Sequence, residues 1–479
     1  MRQIMAAAII LQCILSLGFF LACVCVNAAG KPNGLTMELI HVDSPASPLY
    51  PGNISYEEEI QRLIDRSIAR AQHLHYTLAS LGNNNMSQTI INPLDIRPRL
   101  EFHPYGSYLV QVGIGTFDAT FPARSFNTYY LYTDTGSILT WVLCEDCLKP
   151  GNQCFQTKEP PFPNSKSKSY VALCCNQNPF CKIGQCTGPY CSQHDEYMGG
   201  TVVNSILSAE NFNFLSSSGQ PLMIPGVVFG CAYDTRKISF GRLEEFKVAG
   251  ILGLGYAPIS FPLQQSYQTG KVFSMCLTRQ REIQTYLRFG KDVPTPPGGL
   301  RVTKLVFFKD IPYYYVNLLD ISVHGQKLLI DPNVFAVRNQ GTSGGCLMDN
   351  GSSFTFLIRP AFNAVVQFLE MYFMRFPRLF KGGRPLRLPF ELCYKWMTPL
   401  PPLPTLTFHF ENADLVINPE DLFIKVNAEQ QGNYLLCLAF IPDDARTILG
   451  SVHQSNYLFI YDLNQKLLKF APEDCSKNS

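Results

Sequence analysis

The sequence has almost no net charge: 39 Lys and Arg stand against 37 Asp and Glu, a formal +2 in 479 residues. No basic surplus is available to draw in nucleic acid, and the local cluster Arg375, Arg378, Lys381, Arg384 and Arg387 reads as a solvated loop. Long hydrophobic runs are just as scarce. One apolar run, Ile4 to Val26, follows Arg2 and ends in small residues at Ala28 and Ala29, the pattern of a secretory signal. Its length also allows an uncleaved signal anchor. No second run of that kind follows, and the polar end Cys475-Ser-Lys-Asn-Ser excludes the hydrophobic tail of a glycolipid anchor. Cys144-Glu-Asp-Cys147 could be read as half of a zinc site, but an oxidising compartment favours disulfides instead, so no metal is expected.

What is present points to a β-rich body in two parts. At 46% hydrophobic, the chain can bury two lobes of roughly 150 to 200 residues each. Short apolar runs such as Tyr108-Leu-Val-Gln-Val-Gly-Ile-Gly115 are separated by Gly, Pro or Asn turns, so the class is mostly β. Of the 17 cysteines, Cys13, Cys23 and Cys25 lie in the leader, which leaves an even set of 14. Eight of these, from Cys144 to Cys191, crowd one segment and suggest a stapled surface insertion. Ahead of the body, Tyr56 to Tyr76 places Ile60, Leu63, Ile64, Ile68 and Ala71 at helical spacing, with acids first and bases last. A linker then runs to about Leu100. Helix and linker together read as a removable prosegment or as a small N-terminal adaptor.

The body repeats one pattern in the same order. Tyr130-Leu-Tyr leads into Asp134-Thr-Gly-Ser137, and about 115 residues later comes Gly250-Ile-Leu-Gly253. Cys346-Leu-Met leads into Asp349-Asn-Gly-Ser352, and about 100 residues later comes Thr447-Ile-Leu-Gly450. Either motif alone is an ordinary turn or strand end. The ordered duplication implies two related lobes, each presenting one carboxylate to a shared cleft. Two carboxyl groups about 3 Å apart cannot both ionise cheaply, so the pair holds one proton and carries an acid and a base together. Such a pair can activate a water while polarising a carbonyl, which is what direct peptide hydrolysis requires. Gly136 and Gly351 permit the sharp turn, and the hydroxyls of Ser137 and Ser352 can fix the outer carboxylate oxygens.

With these motifs the chain resembles the pepsin-like aspartic peptidases, in particular the secreted nepenthesin-like plant branch. Further segments carry the resemblance: Met37-Glu-Leu-Ile-His-Val-Asp-Ser-Pro45, Val228-Phe-Gly-Cys231, Ala249 to Gly255, Phe273-Ser-Met-Cys276, Tyr314-Tyr-Val, Cys437-Leu-Ala-Phe and Ile448 to Asn456. The resemblance implies a mostly β, bilobal fold with two β-barrel-like lobes and a cleft between them. It divides the chain into signal peptide 1–29, prosegment and linker 30–100, N-terminal lobe 101–289 and C-terminal lobe 290–479. It implies catalysis by Asp134 and Asp349, with Thr135 as one half of a cross-lobe brace, a flap tyrosine at Tyr197, and Trp141 steadying that tyrosine. The expected protein is a secreted zymogen, monomeric, extracellular or vacuolar, acting on protein or peptide substrates at acidic pH. Its own prosegment would be the intramolecular inhibitor, and no cofactor is called for.

Three departures bear on that expectation. Met198 and Gly199 alter the flap tip, and Ile114-Gly-Thr-Phe-Asp118 alters the first hairpin. Asn350 stands where the family has Thr or Ser; the amide keeps a donor and an acceptor but reaches one atom further, so the brace must shift or leave a buried polar group unpaired. The alternative function is therefore a pepsin-like binding or inhibitor protein, similar to xylanase inhibitors. Asn350 also opens a formal glycosylation sequon that burial should silence, with Asn53 and Asn85 the accessible acceptors. Cys346 and Cys174 are additional to the branch's usual cysteines; Cys346 reads as a buried thiol, with a bond to Cys174 as the alternative.

Overall fold

In the computed structural model the residues described are 34–82, 107–118, 125–155, 157–175, 178–181, 184–197, 201–215, 221–236, 248–383, 388–427 and 434–477. The leader, Asn85, the linker and Met198-Gly199 lie outside them.

The strands that lead to the two aspartates are apolar on both faces because each is covered twice. Strand β1 (Leu35–His41) and helix α1 (Tyr56–Gly82) precede the first lobe, which begins with β2 (Tyr108–Ile114) and β3 (Asn127–Asp134). By the period-two alternation of a strand, Tyr129 and Leu131 of β3 enter the main core, while Tyr132 joins a smaller cluster with Trp141 and with Ala69 of α1. Strand β4 (Trp141–Leu143) follows, then a hairpin of β5 (Tyr190–Tyr197) and β6 (Thr201–Leu215), then β7 (Pro221–Arg236) and β8 (Val248–Gly253). β8 lies parallel to β3, with Gly253 opposite Asp134. This is the crossover that the spacing of the two N-terminal motifs requires.

The second lobe repeats the plan. After β9 (Val272–Cys276), β10 (Thr285–Phe289), β11 (Arg301–Phe308) and β12 (Ile311–Val316), strand β13 (Cys346–Met348) delivers Asp349. Cys346 and Met348 enter the main core, and Leu347 packs in a separate cluster with Ile64, Leu74 and Leu78 of α1. Strand β14 (Thr355–Ile358) and helix α2 (Arg359–Phe373) follow, and β15 (Thr447–Leu449) lies parallel to β13, with Leu449 opposite Met348. The two lobes share one six-stranded sheet in the order β1-β10-β9-β16-β17-β11, where β16 is Tyr457–Asp462 and β17 Leu467–Pro472. The architecture is thus the mostly β, two-lobed one expected.

Disulfides among the described residues join Cys144 to Cys231, Cys147 to Cys154, Cys175 to Cys186, Cys181 to Cys191, Cys276 to Cys475 and Cys393 to Cys437. Cys144 and Cys147 therefore go to different partners in place of a metal. Cys346 is a buried free thiol, so the bond to Cys174 is not made. Helix α1 corrects one expectation. It runs on to Gly82, has Glu57, Glu58 and Glu59 in its first turn and has no base in its last, so its arginines sit at mid-helix. A capping box starts it: Glu58 N–H donates to Ser55 Oγ at 3.2 Å, and Ser55 N–H donates back to Glu58 Oε2 at 2.9 Å.

Candidate active site

Each aspartate stands at the end of its strand on a turn that aims backbone and hydroxyl donors at the carboxylate. Asp134 Oδ1 accepts the Gly136 N–H at 2.8 Å, and Asp134 Oδ2 accepts the Ser137 hydroxyl. Asp349 Oδ2 accepts the Ser352 N–H at 3.0 Å and its hydroxyl at 2.8 Å, and Asp349 Oδ1 accepts the Gly351 N–H at 3.4 Å. Both residues are buried, at 6% and 3% exposure. A threonine six residues beyond each aspartate bonds the matching Ile-Leu-Gly glycine. Thr140 Oγ1 accepts from Gly253 N–H at 3.1 Å, and Thr355 Oγ1 accepts from Gly450 N–H at 3.0 Å. The duplication read in the sequence is thus a duplicated hydrogen-bond frame.

Between the two carboxylates lies Arg70 of α1, itself 3% exposed. Its Nη2 donates to Asp134 Oδ1 at 2.6 Å and to Asp349 Oδ1 at 2.8 Å; Nη1 reaches Asp134 Oδ2 at 3.1 Å and Nε reaches Asp349 Oδ2 at 3.0 Å. One planar guanidinium so binds both acids side by side. Gly136 makes room for it, since a Cβ there would collide with Arg70 Nη2. Burial by itself would raise the Asp349 carboxyl, but the Arg70 charge, with the bonds from Arg70, Ser352 and Gly351, holds it below the usual range. Burial works against the charge on Arg70, and Asp134 and Asp349 overcome it, so the guanidinium is held more firmly protonated than usual.

Two further anchors fix α1 over the site. Ser67 Oγ accepts the N–H groups of Ser353 at 3.1 Å and Phe354 at 2.8 Å, in the loop that carries Asp349. Near the end of β1, buried Asp43 takes Arg62 Nη2 at 2.7 Å and Arg66 Nη2 at 2.6 Å. Sequence reasoning placed the helix but missed Ser67, Arg70 and Asp43. A signal was available: Ser67, Arg70 and Leu74 recur at helical spacing beside the apolar positions Ile64 and Ala71, so an arginine sits where a solvated residue would not.

The brace behind the dyad has shifted rather than vanished. Asn350, 1% exposed, receives the Thr135 hydroxyl at 2.8 Å and the Thr135 N–H at 3.4 Å on its Oδ1. Its amide nitrogen donates to Met275 Sδ at 3.4 Å. Trp141 is buried with its ring edge against Phe155, and its Nε1 has no acceptor among the described residues. Tyr197 ends β5 opposite Thr201, the last pair of the flap hairpin before its turn. No cluster of His, Cys, Asp and Glu suited to a metal occurs among the described residues.

Two lobes, each bringing one buried aspartate on a glycine turn to a common cleft, define a pepsin-like architecture. The family profiles described as xylanase inhibitor N-terminal and xylanase inhibitor C-terminal match residues 108–291 and 313–472. The chain is 27% identical to a probable aspartic protease of Arabidopsis thaliana over 96% of this chain and 98% of that one. It is 28% identical to aspartic proteinase nepenthesin-1 of Nepenthes gracilis, over 93% and 91%. The solved structure of conglutin gamma from lupine seeds shares the fold, with a TM-score of 0.57, 17% identity and coverage of 92% and 95%. The chain belongs to the pepsin-like aspartic peptidase family, on its nepenthesin-like plant branch.

Proposed function

We propose that the protein is the zymogen of a secreted aspartic endopeptidase, with Asp134 and Asp349 as its catalytic pair and α1 as its built-in inhibitor. The observation that carries this reading is the Arg70 guanidinium, which bonds both carboxylates at once. A cation there compensates two buried negative charges and fills the place of the attacking water. Acid weakens the contact by protonating the carboxylates, and removal of α1 leaves a pair that shares one proton. The ionised member then takes a proton from the bound water as its oxygen adds to the peptide carbonyl. The protonated member donates to the carbonyl oxygen, and collapse of the diol returns a proton to the leaving amine. Ser137, Ser352 and the N–H groups of Gly136 and Gly351 hold the carboxylates through these transfers. The disulfides among the described residues support passage through an oxidising compartment, followed by an extracellular or vacuolar location.

The test is acid-processed protein on a denatured protein substrate, with and without a statine inhibitor that mimics the diol. Cleavage that the inhibitor stops is expected; a folded, processed sample that cleaves nothing overturns the reading. Asn350 favours a second one, a binding or inhibitor protein on the same scaffold, in line with the description of the matching profiles. Asp134→Ala separates the two, because a binder keeps its function without that carboxylate.

A further inference from the structure

We propose that Met275 is a positioning residue for the catalytic pair, acting by holding the Asn350 amide in the one orientation that grips Thr135. The proposal rests on the peptidase reading. The Thr135 backbone N–H can only donate, and it points at the Asn350 side chain together with the Thr135 hydroxyl. The Asn350 carbonyl must therefore face Thr135, since a flipped amide would set donor against donor. Its NH2 group is then fixed on the far side, buried, where the acceptor it meets is the Met275 thioether at 3.4 Å. Met275 belongs to neither aspartate loop. It lies on β9, between β10 and β16 in the sheet shared by both lobes. The amide is thus gripped at both ends, by the first lobe's Thr135 and by the shared sheet, one residue from Asp349. A thioether suits the longer side chain because its flexible stem fills the surrounding core and its soft sulfur still accepts a hydrogen bond. A leucine would fill the same space and leave the amide nitrogen unpaired.

The experiment is a double-mutant cycle on the processed enzyme: Met275→Leu, Asn350→Thr and both together, with kcat and KM read separately, alongside denaturant unfolding of the four full-length chains. Met275→Leu is expected to lower kcat about fivefold, the scale of one neutral hydrogen bond, with KM within about twofold. With Asn350→Thr in place the cost should shrink to under about twofold, because threonine has no amide nitrogen to hold. An equal cost in both backgrounds, or a cost confined to KM, overturns the proposal. Coupling in unfolding without coupling in kcat also overturns it, by reducing the pair to a structural contact. If no variant cleaves, Asn350→Thr included, the peptidase reading itself falls and the positioning role falls with it.

Discussion

The Asp134 and Asp349 loops share their glycine turns, their serine hydroxyl donors and their threonine-to-glycine bonds, and they differ in what they offer each other and α1. Thr135 offers two donors to the other lobe, whereas Asn350 answers with a single oxygen and turns its nitrogen to Met275. The second loop alone gives two N–H groups to Ser67 of α1. What holds each carboxylate is largely duplicated, and Arg70 meets both alike, but the brace between the loops and the Ser67 contact are not duplicated. The frame follows from the fold being built twice, while the grip and the Ser67 contacts exist once and need not be symmetric.

The largest effect should come from breaking the duplicated part. Asp134→Asn and Asp349→Asn should each cost about 10²- to 10⁴-fold in kcat, because each removes one of two cooperating proton carriers. The losses should not add in the double variant, since one missing member already idles the other. Initial-rate assays at acid pH check this, and a variant that keeps more than about a tenth of the rate removes its residue from the catalytic pair.

Arg70 comes next, as the contact that treats both loops alike. Arg70→Met leaves two buried carboxylates uncompensated, a cost of about 3–5 kcal/mol to the closed form. Full-length protein carrying it should lose helix α1 to limited proteolysis at neutral pH, where the parent should resist. Gly136→Ala should act in the same direction, because its methyl group would push the guanidinium out.

These two sets of residues were not equally legible in the sequence. Both aspartates, the glycines and the serines could be named because a motif that recurs in order identifies itself by repetition. Asn350 was visible as an oddity, but the shift of the brace onto Thr135 and Met275 was not, since Met275 lies 75 residues away on a strand whose pairing no local pattern reveals. Arg70 was hidden for a related reason: its partners lie 64 and 279 residues further on, and from composition alone an arginine at mid-helix is a solvated one.

Acid should loosen the helix in two stages. His41 Nδ1 accepts the Asp43 N–H at 3.2 Å and faces Arg66, Arg62 and Arg281, opposed by the charges of Asp43 and Glu282, with the Tyr108 ring edge-on. Burial and then Arg66 push its pKa down to about 4 from 6.5. A base whose folded pKa is lowered gives stability that is complete above 6.5 and is lost as pH falls from there to about 4. His73, buried beside Arg70, follows the same sign down to about 3. Asp43 and Asp349 are held low, so their contribution is present above 3.8 and is lost only below it. The full-length chain should therefore lose stability already between pH 6.5 and 4, with His41 supplying on the order of 2 kcal/mol of it. His41→Gln keeps an acceptor for the Asp43 N–H but cannot charge, so thermal unfolding of that variant should fall less steeply over this range. An unchanged slope would assign the first stage elsewhere.

The smallest effect tests the asymmetric grip itself. Thr135→Val removes the hydroxyl donor to Asn350 Oδ1 and keeps the backbone N–H, so the first lobe would hold the second by its long 3.4 Å contact alone. One neutral hydrogen bond is worth about 1 kcal/mol, which predicts a drop in kcat of about fivefold with KM little changed. Asn350→Val removes the acceptor for both Thr135 donors and the donor to Met275, and should cost more than Thr135→Val. Equal losses from the two variants would mean that the hydroxyl carries the whole grip and that the backbone N–H contributes nothing across the lobes. The steady-state kinetics of these two proteins, measured side by side, decide that point.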